Sequence, residues 1–93
     1  MGKRRRFVQR LAEDADLMQE PMPGQTIVEL AGDSRVLIEN HKGVSAYGRE
    51  RIVVRVRYGF LIVCGCDMEL RHMSREQLVI CGRINGVNLQ RRG

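Results

Sequence analysis

Arg51-Ile52-Val53-Val54-Arg55-Val56-Arg57-Tyr58 is the stretch that decides the fold. Ile52, Val54, Val56 and Tyr58 recur at a period of two and take one face of an extended chain. Arg51, Val53, Arg55 and Arg57 take the other. The β-branched side chains are stiff at χ1 and fit a pleated surface better than a helix. The stretch therefore predicts a strand with one face in a core and an arginine row on the opposite face.

Working outward, the same signals recur at short spacing. On the N-terminal side, residues 26–30, 35–39 and 44–47 read as strands, separated by Gly32-Asp33 and by Asn40-His41-Lys42-Gly43, both turn sequences. On the C-terminal side, residues 60–64, 68–72, 78–81 and 83–89 read as strands. Gly59, Gly65-Cys66-Asp67, Ser74-Arg75-Glu76-Gln77, Gly82 and Asn85-Gly86 are the expected turns or breakers. Leu61-Ile62-Val63-Cys64-Gly65 is echoed seventeen residues later by Leu78-Val79-Ile80-Cys81-Gly82. Two copies fall short of a stacked repeat array, so they read as two core strands that each end at a glycine turn. The expected fold is mainly β: a small antiparallel meander, roll or sandwich of about six to eight short strands.

Residues 4–19 carry a different period. Phe7, Leu11, Ala15 and Met18 share one helical face, and Val8, Ala12 and Leu17 widen it. Basic residues lead this segment and acidic residues close it, against the helix dipole, so such a helix depends on docking to a sheet, a membrane or a partner. Pro21, Pro23 and Gly24 end it. The sequence thus divides into a basic N-terminal helix and linker at 1–24 and a β-rich domain at 25–93.

The chain has 93 residues, a formal net charge of +5, 43% apolar and 29% charged residues, and only four aromatic residues with no Trp. That length allows one thin-cored domain. The scarcity of aromatic rings argues against a stacking platform for single-stranded nucleic acid. No recognition helix is visible in residues 25–93, so nucleic-acid binding rests on net charge alone. No apolar run approaches the ~20 residues that span a bilayer as a helix. Three cysteines with no signal-like apolar segment fit a reducing cytosol, so a cytoplasmic location with peripheral membrane contact is the expectation.

The chemistry-bearing residues form no catalytic set. Cys64, Cys66, Cys81 and His72 are ligand types for Zn²⁺, but the one-residue gap between the first two departs from the usual spacing, and buried Cys commonly serves as a small hydrophobe. His41 and His72 are the only histidines and have no matching nucleophile. Glu29, Glu39, Glu50 and Glu69 are scattered rather than paired, and the glycines lack a phosphate-loop pattern. No enzyme activity, cofactor or metal is expected. Arg51, Arg55 and Arg57, with Arg49 just before them, are the sharpest surface feature. They form either a row neutralised by cross-strand Glu or a docking patch for an acidic protein or anionic lipid.

The run Arg35-Val36-Leu37-Ile38-Glu39-Asn40-His41-Lys42-Gly43-Val44 resembles the hallmark of the YqfC branch of the YabP/YqfC family of sporulation proteins. In that family an apolar strand runs into Glu-Asn-His, a basic residue and Gly. A strand, a segment bounded by Gly and a final Leu-x-Ile-x-Gly-like strand follow, and residues 51–58, 59–65 and 78–82 resemble these. The resemblance covers roughly residues 25–90. It implies a non-enzymatic protein of endospore formation in the mother cell, acting through protein–protein interaction or assembly. Other sporulation proteins are the implied partners, membrane-anchored YqfD among them, and homo-oligomers are compatible with it. The alternatives are a peripheral membrane adaptor held by Phe7, Leu11 and Met18 of the N-terminal helix, and a nucleic-acid-binding module. The resemblance supplies no catalytic residue. Glu39, Asn40, His41 and Gly43 match its motif, and physically they read as a turn, since Asn and Gly tolerate left-handed backbone.

Overall fold

The computed structural model of the chain describes residues 24–92. The helix expected over residues 4–19, with Phe7, Leu11 and Met18, lies outside them. The described residues form six strands: β1 (Ile27–Ala31), β2 (Arg35–Glu39), β3 (Val44–Ala46), β4 (Arg51–Val56), β5 (Gly59–Met73) and β6 (Gln77–Arg91). They make one sheet in the order β1-β2-β6-β5-β4-β3, antiparallel throughout. The mainly β, antiparallel expectation holds.

The six strands fall within the expected six to eight, but two of them are much longer than the short strands expected. Residues 60–64 and 68–72 belong to one strand of fifteen residues, β5, and residues 78–81 and 83–89 belong to another, β6. The expected turn at Gly65-Cys66-Asp67 is a set of β-bulges: the β5–β6 register shifts between Cys64 and Gly65, between Cys66 and Glu69, and again between Leu70 and His72. Asp67 takes the extra-residue position with φ +49°, a left-handed backbone that Asp adopts more readily than most residues. Gly82, expected as a breaker, lies inside β6 with φ +147°. The echoed segments 61–65 and 78–82 are indeed two core strand segments that each run into a glycine, but the chain continues past each glycine as bent strand.

The bend explains how one sheet encloses a core. β2 pairs with the first part of β6, Val36 opposite Ile80 and Ile38 opposite Leu78. β4 pairs with the first part of β5, Ile52 opposite Val63 and Val54 opposite Leu61. These two additions sit at opposite ends of the long β5–β6 hairpin. Val36 and Ile38 nevertheless share a single buried cluster with Ile52, Val54 and Val56, together with Leu61, Val63, Met68, Leu78 and Ile80. The sheet is thus folded over, with β2 and β4 on facing halves and Met68 packed within the bend. β-branched and aliphatic side chains fill nearly all of it, as the composition requires.

At the bend the two long strands approach so closely that side chains are excluded. A Cβ on Gly65 would lie 2.0 Å from the Arg83 carbonyl oxygen, and one on Gly82 2.7 Å from that of Asp67. Bending also strands backbone amides beyond the ends of β2 and β4, and buried amides need partners. The turns supply them. Gly65 N–H donates to Glu50 O (3.1 Å) and Met68 N–H to Arg49 O (2.9 Å), while Leu70 N–H reaches the Tyr47 hydroxyl (3.3 Å). On the other side, Gly82 N–H donates to Ser34 O (3.1 Å) and Ile84 N–H to Asp33 O (2.7 Å).

Candidate functional site

Two regions hold the residues that the sequence singles out: the motif loop between β2 and β3, and the outer face of β4. In the motif loop, Asn40 has φ +63°, in the left-handed region. Its side-chain amide donates to Gln25 O (2.7 Å), its carbonyl accepts from the Thr26 hydroxyl (3.2 Å), and its N–H donates to Glu76 O. One residue thereby joins the segment entering β1 to the turn between β5 and β6.

His41 is the only polar or charged residue that is buried among those described, at 8% exposure. Gly43 N–H donates to its Nδ1 (2.9 Å), so Nδ1 must be the unprotonated nitrogen. Nε2 then carries the proton and donates to Ser74 O (2.9 Å). Ser74 itself organises the β5–β6 turn: its N–H donates to Gln77 O (2.7 Å) and its hydroxyl accepts from Gln77 N–H (3.1 Å). Beyond His41 the loop meets β4, with Lys42 N–H donating to Arg55 O (2.7 Å) and Arg55 N–H to Gly43 O (2.8 Å). Glu39 accepts from the Gln77 side chain (3.4 Å). The motif residues are thus a clamp joining β1, the β5–β6 turn and β4. Nothing in the sequence marks Gln25, Thr26, Ser74 and Glu76 as clamp partners, because apart from the Thr26 hydroxyl what they contribute is backbone carbonyl.

The outer face of β4 has a different character. Ile52, Val54 and Val56 point into the core, and Arg51 and Arg55 are exposed on the opposite side. Arg57 lies past the strand end, in the turn to β5, and Arg49 lies in the bend before β4. No acid stands opposite the row: Arg51 faces Cys64, Val53 faces Ile62 and Arg55 faces Phe60 across β5, while β3 places Ala46 beside Val53. Among the described residues the single ion pair is Arg71–Glu69 (3.2 Å), exposed and away from the row. Arg55 spends one N–H on Lys42 O (3.1 Å), which steadies its guanidinium and leaves its other donors free of described partners. Val53 is 8% exposed yet does not belong to the core cluster, and Phe60, Ile62 and Cys64 on the same face are half-buried. Sequence reasoning identified the arginines but missed this apolar strip, since the outward positions of β5 are revealed only by the register.

Among the described residues, no three of His, Cys, Asp or Glu lie close enough together to hold a metal ion. Cys64 stands opposite Gly86, Cys66 opposite Arg83 and Cys81 opposite Glu69, while His72 pairs with Val79. All three cysteines are free thiols. Asp33, Asp67, Gly82 and Arg83 line a shallow polar hollow at the bend, where the backbone contacts just described already engage Asp33 and Gly82. No helix among the described residues is long and apolar enough to cross a membrane.

A family model described as the YabP family matches residues 23–93, which takes in every described strand and both regions above. The chain belongs to the YabP family. YabP-family membership makes it a sporulation-related protein, in a family of non-catalytic proteins. No curated protein and no solved structure matches the chain. In this YabP-family domain, the Glu39–Gly43 region of the sequence motif is the interior clamp, and the arginine face is the region turned to solvent.

Proposed function

We propose that this YabP-family domain, of the YqfC branch, acts in endospore formation in the mother cell as a non-enzymatic interaction or assembly protein. Its docking surface is the outer face of β4 and β5, bearing Arg51 and Arg55 with Arg49 and Arg57 at its ends. The observation that carries this reading is the pairing register. It sets arginines without described carboxylate partners beside half-buried Phe60, Ile62 and Cys64, and an apolar centre with a charged rim is how protein interfaces are commonly built. The branch assignment rests on Glu39-Asn40-His41-Lys42-Gly43. Other sporulation proteins are the partners, with membrane-anchored YqfD the first to test.

The test is a pull-down of the tagged chain from sporulating cells, with membranes solubilised in mild detergent and the eluate read by mass spectrometry. Wild type recovers a sporulation protein, and Arg51→Glu/Arg55→Glu loses it while remaining folded. Equal recovery by both chains would remove the arginine face from the proposal. Recovery of no sporulation protein by wild type would remove the interaction role itself.

A further inference from the structure

The geometry of the β4–β5 face defines the chemistry of what fits it, and this inference rests on the reading of that face as a docking surface. Arg51 and Arg55 are four residues apart on one strand. At about 3.3 Å per residue, their Cα atoms are roughly 13 Å apart. Val53 lies midway but is almost covered, and half-buried Ile62 directly across from it on β5 supplies the apolar surface, so the site reads as cation, apolar patch, cation. Beyond β5, the next positions on β6 are Gly86, Asn88 and Gln90, which are neutral. A Cβ built on Gly86 would meet nothing within 4 Å, so the surface beside it is open. On the other side, Ser45 and Ala46 of β3 are exposed and uncharged. The positive charge is therefore a narrow stripe along β4, widened at the Arg55 end by exposed Lys42, rather than a plane.

We propose that this stripe binds an extended acidic segment of a partner protein, in which two carboxylates stand four residues apart with an apolar side chain midway. An extended chain has the same rise as β4, so carboxylates at i and i+4 meet Arg51 and Arg55 together, and the residue at i+2 lies on Val53 and Ile62. A helix covers the same ~13 Å in about nine residues, so it demands a different spacing. An anionic lipid surface rewards cations spread across a plane, and here neutral residues border most of the stripe, with Lys42 the one added cation, beside Arg55.

The experiment uses the full chain, isotope-labelled and observed by NMR, with two synthetic peptides of identical composition. One carries Glu at i and i+4 with Leu at i+2. The other carries the same residues with Glu at i and i+2. The first peptide shifts the amide signals of Arg51, Val53, Arg55, Phe60 and Ile62, and binds about two- to fivefold more tightly than the second, the gain expected from engaging one more exposed charge pair. Arg51→Glu/Arg55→Glu abolishes the difference while leaving the signals of Val36, Met68 and Ile80 in place, and a Lys-for-Glu version of the first peptide restores binding to that variant. Equal affinity for both peptides overturns the proposal, as do shifts confined to the opposite outer face around Leu37 and Val79, or no shift with either peptide. So does binding of the chain to phosphatidylglycerol vesicles alone. If the pull-down succeeds with wild type while the peptides fail, the interaction role stands and the extended acidic ligand does not.

Discussion

His41 holds two backbone groups, Gly43 N–H and Ser74 O, that water reaches poorly once the loop is closed. Removing the ring leaves a donor and an acceptor unsatisfied, at about 1–2 kcal/mol each, the lower part of the usual range because both bonds are only part-buried. His41→Ala is therefore expected to lower unfolding stability by about 2–4 kcal/mol in urea titrations. In nitrogen-detected NMR, the wild-type ring appears as the Nε2–H tautomer, because Nδ1 accepts a hydrogen bond. A ring protonated only at Nδ1 contradicts the clamp. Asn40 supplies a second test from backbone geometry. In the left-handed region Ala costs roughly 1–2 kcal/mol, whereas Gly adopts it freely. Asn40→Ala should thus destabilise more than Asn40→Gly, even though both lose the bond to Gln25. An Asn40→Ala/His41→Ala variant that blocks sporulation would then owe its effect to lost folding rather than to a lost contact surface, and circular dichroism of the purified variant separates the two.

The long bent strands β5 and β6 depend on two glycines for their crossing. Gly65→Ala drives a methyl into the Arg83 carbonyl. Over-packing of this kind costs about 1–3 kcal/mol or more, and the obstacle here is backbone, which yields less than a side chain. The expected outcome is a lower thermal midpoint for Gly65→Ala than for Gly86→Ala, whose added methyl meets open space. An equal effect at the two positions would show that the bend tolerates a side chain. This is also where sequence reading stopped short. Alternation in residues 51–58 exposed β4 and its inward face, because a half-buried strand writes its period into the residue types. Gly65-Cys66-Asp67 and Gly82 were legible as departures from regular strand. A turn and a bulge, however, use the same residues for the same reason, left-handed or crowded backbone, and only the pairing across the hairpin distinguishes them. Asn40 and His41 were legible as one turn and Ser74 and Glu76 as another, but not their pairing, since a carbonyl oxygen is common to every residue.

In the folded molecule, neither half of the sheet owns its core. Ile38 of β2 and Ile52 of β4 are both fully buried in one cluster, although their strands attach to opposite ends of the β5–β6 hairpin. Ile38→Ala should therefore cost about 2–5 kcal/mol, as large-to-small core changes do, and should lower hydrogen-exchange protection in β4 as well as in its own neighbours. Loss of protection confined to β1 and β2 would mean the halves are independent. The arginine face lies outside this core, so Arg51→Glu and Arg55→Glu are expected to change stability by less than about 0.5 kcal/mol each, the usual range for surface substitutions. That separation lets docking be tested without unfolding the domain.

The pairing of Val36 with Ile80 also sets an order in time. β5 meets β6 through a short turn and β4 meets β5 through another, so the loops these contacts close are small. β2 must instead find a strand more than forty residues further along the chain, and so long a loop costs more chain entropy to close, so the transition state forms through the shorter loops without it. The β4–β5–β6 meander should assemble first, with the β1–β2 hairpin joining after the rate-limiting barrier. In stopped-flow experiments, Ile38→Val should then mainly speed unfolding, while Val63→Ala should mainly slow refolding. Until β1 and β2 arrive, the inner edge of β6 stands open to any other strand, which makes the moments before that last docking step the period in which the newborn chain is most prone to aggregate.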